Sequence, residues 1–243
     1  MGDTSIASRT LLSIKGLSVS YGKAVALRNV DVDVAEGEVV SVLGTNGAGK
    51  STFARALAGL IPVRSGTIHW DGQDVTRWSS HRMRRAGVMY LPEGRGIFPS
   101  LTVQENLTVA ASLVRGRSER KDAIDRAISL FPILGERSKQ EAGALSGGEQ
   151  QMLSLARATA VVPRLVIADE LSLGLAPQVV DMVFAYLDTI RTEQHVAIVL
   201  IEQFVHRALA LADRCIILRR GSVSWSGPVE EGAAAALTSY MGA

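Results

Sequence analysis

The sequence has a single cysteine, no repeat of fixed period and almost no excess of charge of either sign. Cys215 is the only cysteine in 243 residues, so the chain forms no internal disulfide and a reducing compartment is permitted. The 26 basic and 24 acidic side chains leave a formal net charge of +2, too small by itself to indicate a nucleic-acid-binding groove. We therefore expect no disulfide framework and no nucleic-acid partner.

The chain also lacks a long apolar run. No stretch reaches the roughly 18 apolar residues of a transmembrane helix, and the purest one, residues 196–201, has the length of a strand. The first residues contain neither a signal-peptide-like apolar run nor a myristoylation motif. We expect a cytoplasmic protein that reaches a membrane only through a partner.

What is present is the composition of a folded domain, because 47% of the residues are hydrophobic. The alternation of apolar and polar side chains over residues 11–34 predicts short strands. The apolar residues 39–43 predict a central strand covered on both faces. A glycine-rich loop follows, and then a predicted helix over residues 50–60 with Leu60 on its apolar face.

The middle of the chain has helical periodicity. Thr102 and Ser146 each begin a capping box that predicts the start of a helix. Between them, the charged residues 115–121 predict a solvated loop before a helix that Pro132 stops. Strands then alternate with helices again, ending in a predicted helix over residues 230–241. This order implies a parallel α/β sheet that carries an inserted helical lobe.

The strongest functional signal is a P-loop pattern between an apolar strand and a helix. Glycines let the backbone curl so that several N–H groups point at one anion, and the helix adds the positive end of its dipole. Lys50 is placed to reach the β- and γ-phosphates, and the Ser51 hydroxyl to ligate Mg²⁺. The predicted nucleotide-binding residues of the loop are Asn46, Gly47, Ala48, Gly49, Lys50, Ser51 and Thr52.

A second signal is a pair of adjacent carboxylates, Asp169 and Glu170, at the end of an apolar strand. Open α/β sheets place their ligands at the carboxyl ends of their strands. Asp169 can hold Mg²⁺ directly or through water, and Glu170 can orient or deprotonate an attacking water. Alone, such a pair is more often the polar start of a loop, but together with a P-loop it favours catalysis.

A third signal is the pair of glycines behind the capping serine Ser146. Gly147 and Gly148 in a first helical turn cost about 1 kcal/mol each relative to alanine, but they offer bare N–H groups to a phosphate. These three elements, in this order, resemble those of the ATP-binding-cassette (ABC) ATPases. The run from Ser146 to Gln150 matches the signature motif of that family.

The resemblance spans nearly the whole chain and implies a single ABC ATPase domain over residues 10–243. It implies an α/β fold in which a P-loop NTPase (RecA-like) core, residues 10–95 and 160–243, begins with an antiparallel β segment. The inserted helical subdomain is residues 96–159. In this family two subunits sandwich two ATP molecules, so Ser146, Gly147 and Gly148 are implied to contact the γ-phosphate held by the other subunit.

The same resemblance implies roles for single positions. It assigns catalysis to Glu170, Lys50 and Gln203, and it implies ATP and Mg²⁺ as cofactors. Tyr21 stands where the family stacks an aromatic ring on adenine. Glu93 occupies the Q-loop position of many members' glutamine and is an implied metal ligand beside Ser51 and Asp169.

Several departures from the common family pattern indicate a subfamily. Gln203 stands where many members have a histidine; its amide can donate to a γ-phosphate but cannot titrate like imidazole. Ala176 replaces the usual D-loop aspartate. Together with the run from Pro92 to Arg95, these residues look like those of ATPase subunits of branched-chain (hydrophobic) amino-acid importers. Leu171 replaces a usual proline and does not belong to that pattern.

The resemblance therefore implies an ATP-hydrolysing subunit held at the cytoplasmic face of the cell membrane by membrane-spanning permease subunits. The second ATPase is expected to be a different chain, and a homodimer stays open. Amides, urea or aromatic acids stay open as cargo. Phe98, Pro99 and Leu101 either line a groove for a permease helix or cover the lobe's own core.

Two other functions stay open on the sequence. One is a soluble ATPase of the same fold with a non-transport role, although there is no room for coiled-coil arms between Lys50 and Ser146. The other is a nucleotide-sensing module that does not hydrolyse ATP, in which Glu170 would have no purpose. A GTPase is not favoured, because no Asn-Lys-x-Asp run is present.

Overall fold

The computed structural model describes residues 9–202 and 204–231. Its strands are β1 (Thr10–Tyr21), β2 (Ala24–Ala35), β3 (Val39–Leu43), β4 (Ser65–Trp70), β5 (Gln73–Asp74), β6 (Val88–Leu91), β7 (Leu165–Asp169), β8 (Ala197–Ile201), β9 (Arg214–Arg219) and β10 (Ser222–Pro228). Its α-helices are α1 (Lys50–Leu57), α2 (Ser80–Arg85), α3 (Val103–Ala111), α4 (Arg117–Leu130), α5 (Pro132–Glu136), α6 (Gly147–Thr159), α7 (Pro177–Gln194) and α8 (Val205–Leu211).

The larger sheet has the strand order β10-β9-β3-β8-β7-β6. Its neighbours pair in parallel except for β9 and β10, which form an antiparallel hairpin. Every residue of β3, β7 and β8 is buried, as expected for strands with both faces covered. The carboxyl ends of β3 and β7 lie at the same edge, so the loop after β3 and the carboxylates after β7 are brought together.

The smaller sheet is antiparallel and has the order β2-β1-β4-β5. Its first two strands have 12 residues each, longer than the short segments that the alternation predicts. The apparent break falls at Gly16, where the pairing register of β1 shifts between Ile14 and Leu17 while the strand continues. Such a bulge interrupts the alternation of side chains without ending the strand.

The helical block consists of α3 to α6, and both predicted capping boxes are present, at Thr102 and Ser146. Residues 117–121, expected to be loop, are instead the first turn and a half of α4. Arginine, glutamate and lysine are good helix formers, so a charged run does not by itself indicate a loop. Pro132 follows the end of α4 but also opens α5, a first-turn position that proline tolerates well.

Two apolar clusters lie on the two faces of the larger sheet. One joins the helical block to the sheet and includes Leu107, Phe131 and Leu43. Leu171, which has no explanation in the sequence pattern, is 3% exposed within this cluster. The other cluster lies beneath the smaller sheet and α1. Leu60 belongs to neither cluster, because α1 ends at Leu57 and leaves Leu60 48% exposed.

Cys215 lies in β9 with none of its surface exposed, and burial raises the pKa of its thiol. No helix in the described part of the chain is both long and apolar enough to cross a bilayer. Gln203 and most of the helix predicted over residues 230–241 lie outside the described residues.

Candidate active site

The loop between β3 and α1 has the geometry that a phosphate cradle requires. Gly49, the residue before α1, has a φ of +106°, which side-chain-bearing residues rarely adopt. A Cβ at this position would lie 2.9 Å from the Ala26 carbonyl oxygen and 2.8 Å from Leu27 Cδ2. The glycine therefore lets the loop pass close to β2 and begin the helix that Lys50 opens.

Replacing Gly49 with alanine is expected to lower the free energy of unfolding by about 1–3 kcal/mol, because of backbone strain and the contact with the Ala26 carbonyl. Urea unfolding measures the change. Gly47→Ala is the matched comparison, because Gly47 also has a positive φ, +79°, but a Cβ added there would meet no atom within 4 Å. A Gly49→Ala chain as stable as the Gly47→Ala chain would contradict this explanation.

Lys50 links the loop to the acidic end of β7. Its ammonium donates a hydrogen bond to the Gly44 carbonyl oxygen at 2.8 Å and lies 3.4 Å from that of Thr45. The same Nζ lies 3.6 Å from Oε1 of Glu170, and the two side chains are only 4% and 9% exposed. A buried cation among carbonyl oxygens and one carboxylate can transfer these contacts to phosphate oxygens.

Asp169 is fully buried at the end of β7, and two hydroxyl groups hold its carboxylate. Ser51 donates to Oδ1 at 3.2 Å, and the Tyr90 hydroxyl donates to Oδ2 at 2.9 Å. Burial raises the pKa of Asp169, and the two hydrogen bonds oppose this effect.

The Ser51 and Asp169 oxygens fit a magnesium ion. Hard cations prefer oxygen donors, and Mg²⁺ usually takes one or two carboxylates together with substrate phosphates and several waters. Among the described residues, no group of three or more His, Cys, Asp or Glu side chains is arranged to hold a metal. The sparse set around Asp169 therefore suits a cation that arrives with a nucleotide better than one caged by protein.

Glu170 has an unusual backbone, with a φ of +52°. Its amide donates to the Ile201 carbonyl oxygen at 2.9 Å, which ties this turn to β8. A cavity of about 310 Å³ borders its side chain and is also lined by Glu93, Arg95 and Gln151. Strained backbone at a buried carboxylate is typical of a functional site, and the cavity leaves room for a reacting water.

Ser146 caps α6, and the glycines that follow it lie against residues outside the P-loop. Its side chain accepts a hydrogen bond from the Glu149 amide, and the Glu149 carboxylate accepts one from the Ser146 amide. A Cβ on Gly147 would meet the Arg95 guanidinium at 2.9 Å, and one on Gly148 would meet Val179 at 2.9 Å. Arg95 also donates to the Gln150 side chain, so the Q-loop contacts the start of the signature helix.

The structure therefore brings together Lys50, Ser51, Asp169 and Glu170, and places Glu93 on the same cavity as Glu170. The predicted adenine-stacking residue Tyr21 ends β1 with 49% of its surface exposed. Of the remaining loop residues, Asn46 and Gly47 are exposed, Thr52 is half-buried and Ala48 is buried.

Sequence reasoning missed Tyr90. It lies in the run identified with the Q-loop, three residues before Glu93, but the resemblance gives it no role, and only the pairing of β6 with β7 reveals that its hydroxyl reaches Asp169.

The chain is similar in sequence to a known family and to named proteins. The family described as ABC transporter matches residues 27–172. The chain is 40% identical over 213 residues to the high-affinity branched-chain amino acid transport ATP-binding protein BraG of Pseudomonas aeruginosa, covering 88% of this chain and 91% of that protein. It is 36% identical over 215 residues to the probable branched-chain amino acid transport ATP-binding protein LivF of Archaeoglobus fulgidus, with the same coverage of 88% and 91%.

Solved structures share the fold at lower sequence identity. The ADP conformation of MJ1267, an ATP-binding cassette of an ABC transporter, matches with a TM-score of 0.83 at 19% identity, covering 97% of this chain and 100% of that one. A dimeric ATP-binding cassette, MJ0796 bound to ADP and Pi, matches with a TM-score of 0.82 at 23% identity, covering 90% and 99%. The predicted fold class, a P-loop α/β core with an inserted helical lobe, is confirmed.

Proposed function

The chain belongs to the ABC transporter family, and from this premise we propose that it is the ATP-hydrolysing subunit of a membrane importer for branched-chain or other hydrophobic amino acids. The observation that carries the proposal is the buried contact between Lys50 and Glu170, which joins a phosphate cradle to a candidate base. Two relatives of this chain, BraG and LivF, are named as branched-chain amino acid transport ATP-binding proteins, and these names support the proposed cargo.

Phosphate binding is the first task of the site. In the structure, the Lys50 ammonium donates a hydrogen bond to a loop carbonyl oxygen and lies beside the Glu170 carboxylate. The β- and γ-phosphates of ATP carry full negative charge, so they are stronger acceptors for this ammonium than the carbonyl oxygens are. The amides of the loop from Asn46 to Thr52 and the start of α1 add further donors. Ser51 and Asp169 would hold Mg²⁺, which would supply positive charge against the negative charge of the phosphates.

Glu170 carries the chemical step. The carboxylate of Glu170 borders the cavity, where it can accept a proton from the water that attacks the γ-phosphate. Burial of both side chains keeps bulk water from competing for these contacts. Gln203 is proposed to donate its amide to the γ-phosphate, Glu93 to contribute to the metal site, and Tyr21 to stack on adenine.

A second ATPase subunit completes each site. The capped start of α6 presents the backbone amides of Gly147 and Gly148, and their neighbours are Arg95 and Val179 instead of the P-loop. These amides are therefore proposed to serve the nucleotide of the other subunit, which makes two-subunit closure part of catalysis. We favour a heterodimer with a related ATPase, and we propose the division into a core, residues 10–95 and 160–243, and a helical subdomain, residues 96–159.

A groove of about 500 Å³ is the proposed contact with the permease subunits. It runs between α2, β6 and α3, and its lining includes Met89, Val109 and Leu113 but no carboxylate among the described residues. Arg84 and Arg157 also line it, and each has a buried guanidinium nitrogen without a hydrogen-bond partner in the described part of the chain. We therefore propose that the docking segment of the permease carries an acidic side chain.

Of the three residues that the sequence left between two interpretations, two are exposed. Phe98 is 43% exposed and lies 4.7 Å beneath the Arg157 guanidinium, and Pro99 is exposed beside it. Leu101 is half-buried. This placement beside the groove supports a role of Phe98 and Pro99 in permease docking, at the cytoplasmic face of the membrane.

Reconstitution tests the proposal. The chain is co-expressed with a related ATPase and with candidate permease subunits from the same organism, purified from membranes and placed in proteoliposomes with a candidate binding protein. Leucine or valine is expected to stimulate ATP hydrolysis several-fold and to accumulate in the vesicles. Stimulation by amides or urea instead would overturn the cargo, and ATP hydrolysis by a chain that never co-purifies with a permease would favour a soluble role.

A further inference from the structure

Tyr90 lies in the run identified with the Q-loop, but the resemblance assigns no role to its side chain. It lies in β6, one strand from β7, with its side chain half-buried. The register pairs Tyr90 with Ile167, two residues before Asp169. From there its hydroxyl donates to Asp169 Oδ2 at 2.9 Å. Tyr90 therefore spans the gap between the edge strand and the candidate metal site.

The two oxygens of Asp169 have separate partners. Ser51 holds Oδ1 at 3.2 Å, and Tyr90 holds Oδ2 at 2.9 Å. Ser51 is itself a predicted metal ligand, so its hydroxyl is needed by the cation as well as by Asp169. The Tyr90 hydroxyl has no such second task, so its contact with Asp169 remains when Ser51 turns to the metal.

A positive charge lies near the Tyr90 hydroxyl. The guanidinium of Arg55, in α1, interacts electrostatically with this hydroxyl and with Asp169. Donors that orient a metal-binding side chain commonly change metal affinity or activity 10–100-fold when they are removed. The ring also lines the groove between α2, β6 and α3, so one side chain touches both the candidate permease contact and the metal carboxylate.

We propose that Tyr90 is a positioning residue that fixes the carboxylate of Asp169 for the magnesium ion bound with ATP. The proposal rests on the function proposed above, because it assigns Tyr90 a role in the metal site of that ATPase. Tyr90 acts through Asp169 and does not itself touch the nucleotide.

The test compares the affinity for a non-hydrolysable ATP analogue, adenylyl imidodiphosphate, with excess Mg²⁺ and with EDTA, measured by calorimetry. Tyr90→Phe keeps the ring and removes only the hydroxyl. It is expected to reduce the gain in affinity that Mg²⁺ provides by about tenfold, and to leave the affinity in EDTA unchanged. Tyr186→Phe is the matched control, because it makes the same chemical change at a buried tyrosine that lies in α7 against Phe131.

Two further measurements show whether a reduced Mg²⁺ effect arises from the contact with Asp169 or from a loss of folding. Thermal unfolding without nucleotide shows whether Tyr90→Phe is folded. In an Asp169→Asn background the same substitution is expected to add little, because neighbours that act as a unit are not additive; an additive loss there contradicts the proposal. If Tyr90→Phe does not fold, Tyr90→His, which retains a donor, serves in its place and is expected to retain more of the Mg²⁺-dependent gain than Tyr90→Leu.

The proposal would be overturned if Tyr90→Phe gained as much affinity for the analogue from Mg²⁺ as the wild type does. It would also be overturned if the wild-type chain bound the analogue equally well with Mg²⁺ and with EDTA. This test can fail independently of the proposed function. If the wild-type chain binds the analogue but releases no phosphate from ATP, hydrolysis is refuted while the binding comparison still decides the role of Tyr90.

Discussion

Glu170→Gln is expected to lower steady-state phosphate release by about 10²–10⁴-fold, the usual contribution of a positioned general base. Glutamine keeps the shape of the side chain but cannot accept a proton from water. The phosphate contacts proposed for Lys50 and the loop do not require the carboxylate, so we expect the variant to bind ATP and to accumulate as an ATP-bound dimer. A phosphate-release assay and light scattering in the presence of ATP measure the two effects.

The control for this experiment is Glu193→Gln, which makes the same chemical change at an exposed position of α7. Scattering is measured on the chain alone and after mixing with a related ATPase subunit from the same organism, so that a heterodimer is not missed. Phosphate release that survives Glu170→Gln unchanged would refute general-base catalysis by this residue. A variant that binds ATP but stays monomeric in both samples would refute nucleotide-driven pairing.

Lys50→Ala is expected to have the next largest effect, on ATP binding. Lys50 is 4% exposed and is the one lysine whose ammonium lies between the cradle carbonyls and Glu170 in the described residues. Removing one partner of a buried, hydrogen-bonded charge pair costs about 2–5 kcal/mol, which corresponds to a rise in the dissociation constant of about thirtyfold or more. Titration with a fluorescent ATP analogue measures it.

Lys139→Ala removes an exposed lysine and should leave the affinity unchanged. Thermal unfolding of both variants is needed, because Lys50→Ala also deprives Glu170 of a charge partner at 3.6 Å. A folded Lys50→Ala chain that binds ATP as tightly as the wild type would show that the phosphates lie away from Lys50, and the assignment of the whole loop would fail.

The parts of the site that the sequence predicts well are contiguous. The loop around Lys50 and the pair formed by Asp169 and Glu170 are each defined by neighbours along the chain, between an apolar strand and a helix or loop. The capping box at Ser146 is equally local, since its two hydrogen bonds join residues three apart. Local patterns of this kind need no knowledge of strand pairing.

The parts that the sequence does not reveal depend on pairing between distant segments. Tyr90 reaches Asp169 because β6 and β7 pair in parallel in one register, and a shift by one residue would turn its side chain to the other face. The contact of Arg95 with Gln150 joins residues 55 positions apart in the chain. Neither contact leaves a trace in periodicity, so only the folded structure can place these side chains.

The errors in secondary structure have local causes. The bulge at Gly16 divides one long strand into two apparent segments, and the charged start of α4 resembles a solvated loop. The short elements between Ser65 and Leu91 give no signal in the sequence pattern. They have two to six residues each, too few for a periodic pattern to develop.

The burial of Cys215 makes this chain well suited to measurements of subunit closure. Its thiol is inaccessible in β9, and no second cysteine exists in the sequence, so maleimide dyes have no reactive native target in the folded protein. A single cysteine introduced at an exposed position, such as Lys139, can therefore carry a fluorophore without prior removal of a native thiol. Energy transfer between two labelled subunits would then report how far the helical lobes move as ATP binds and is cleaved.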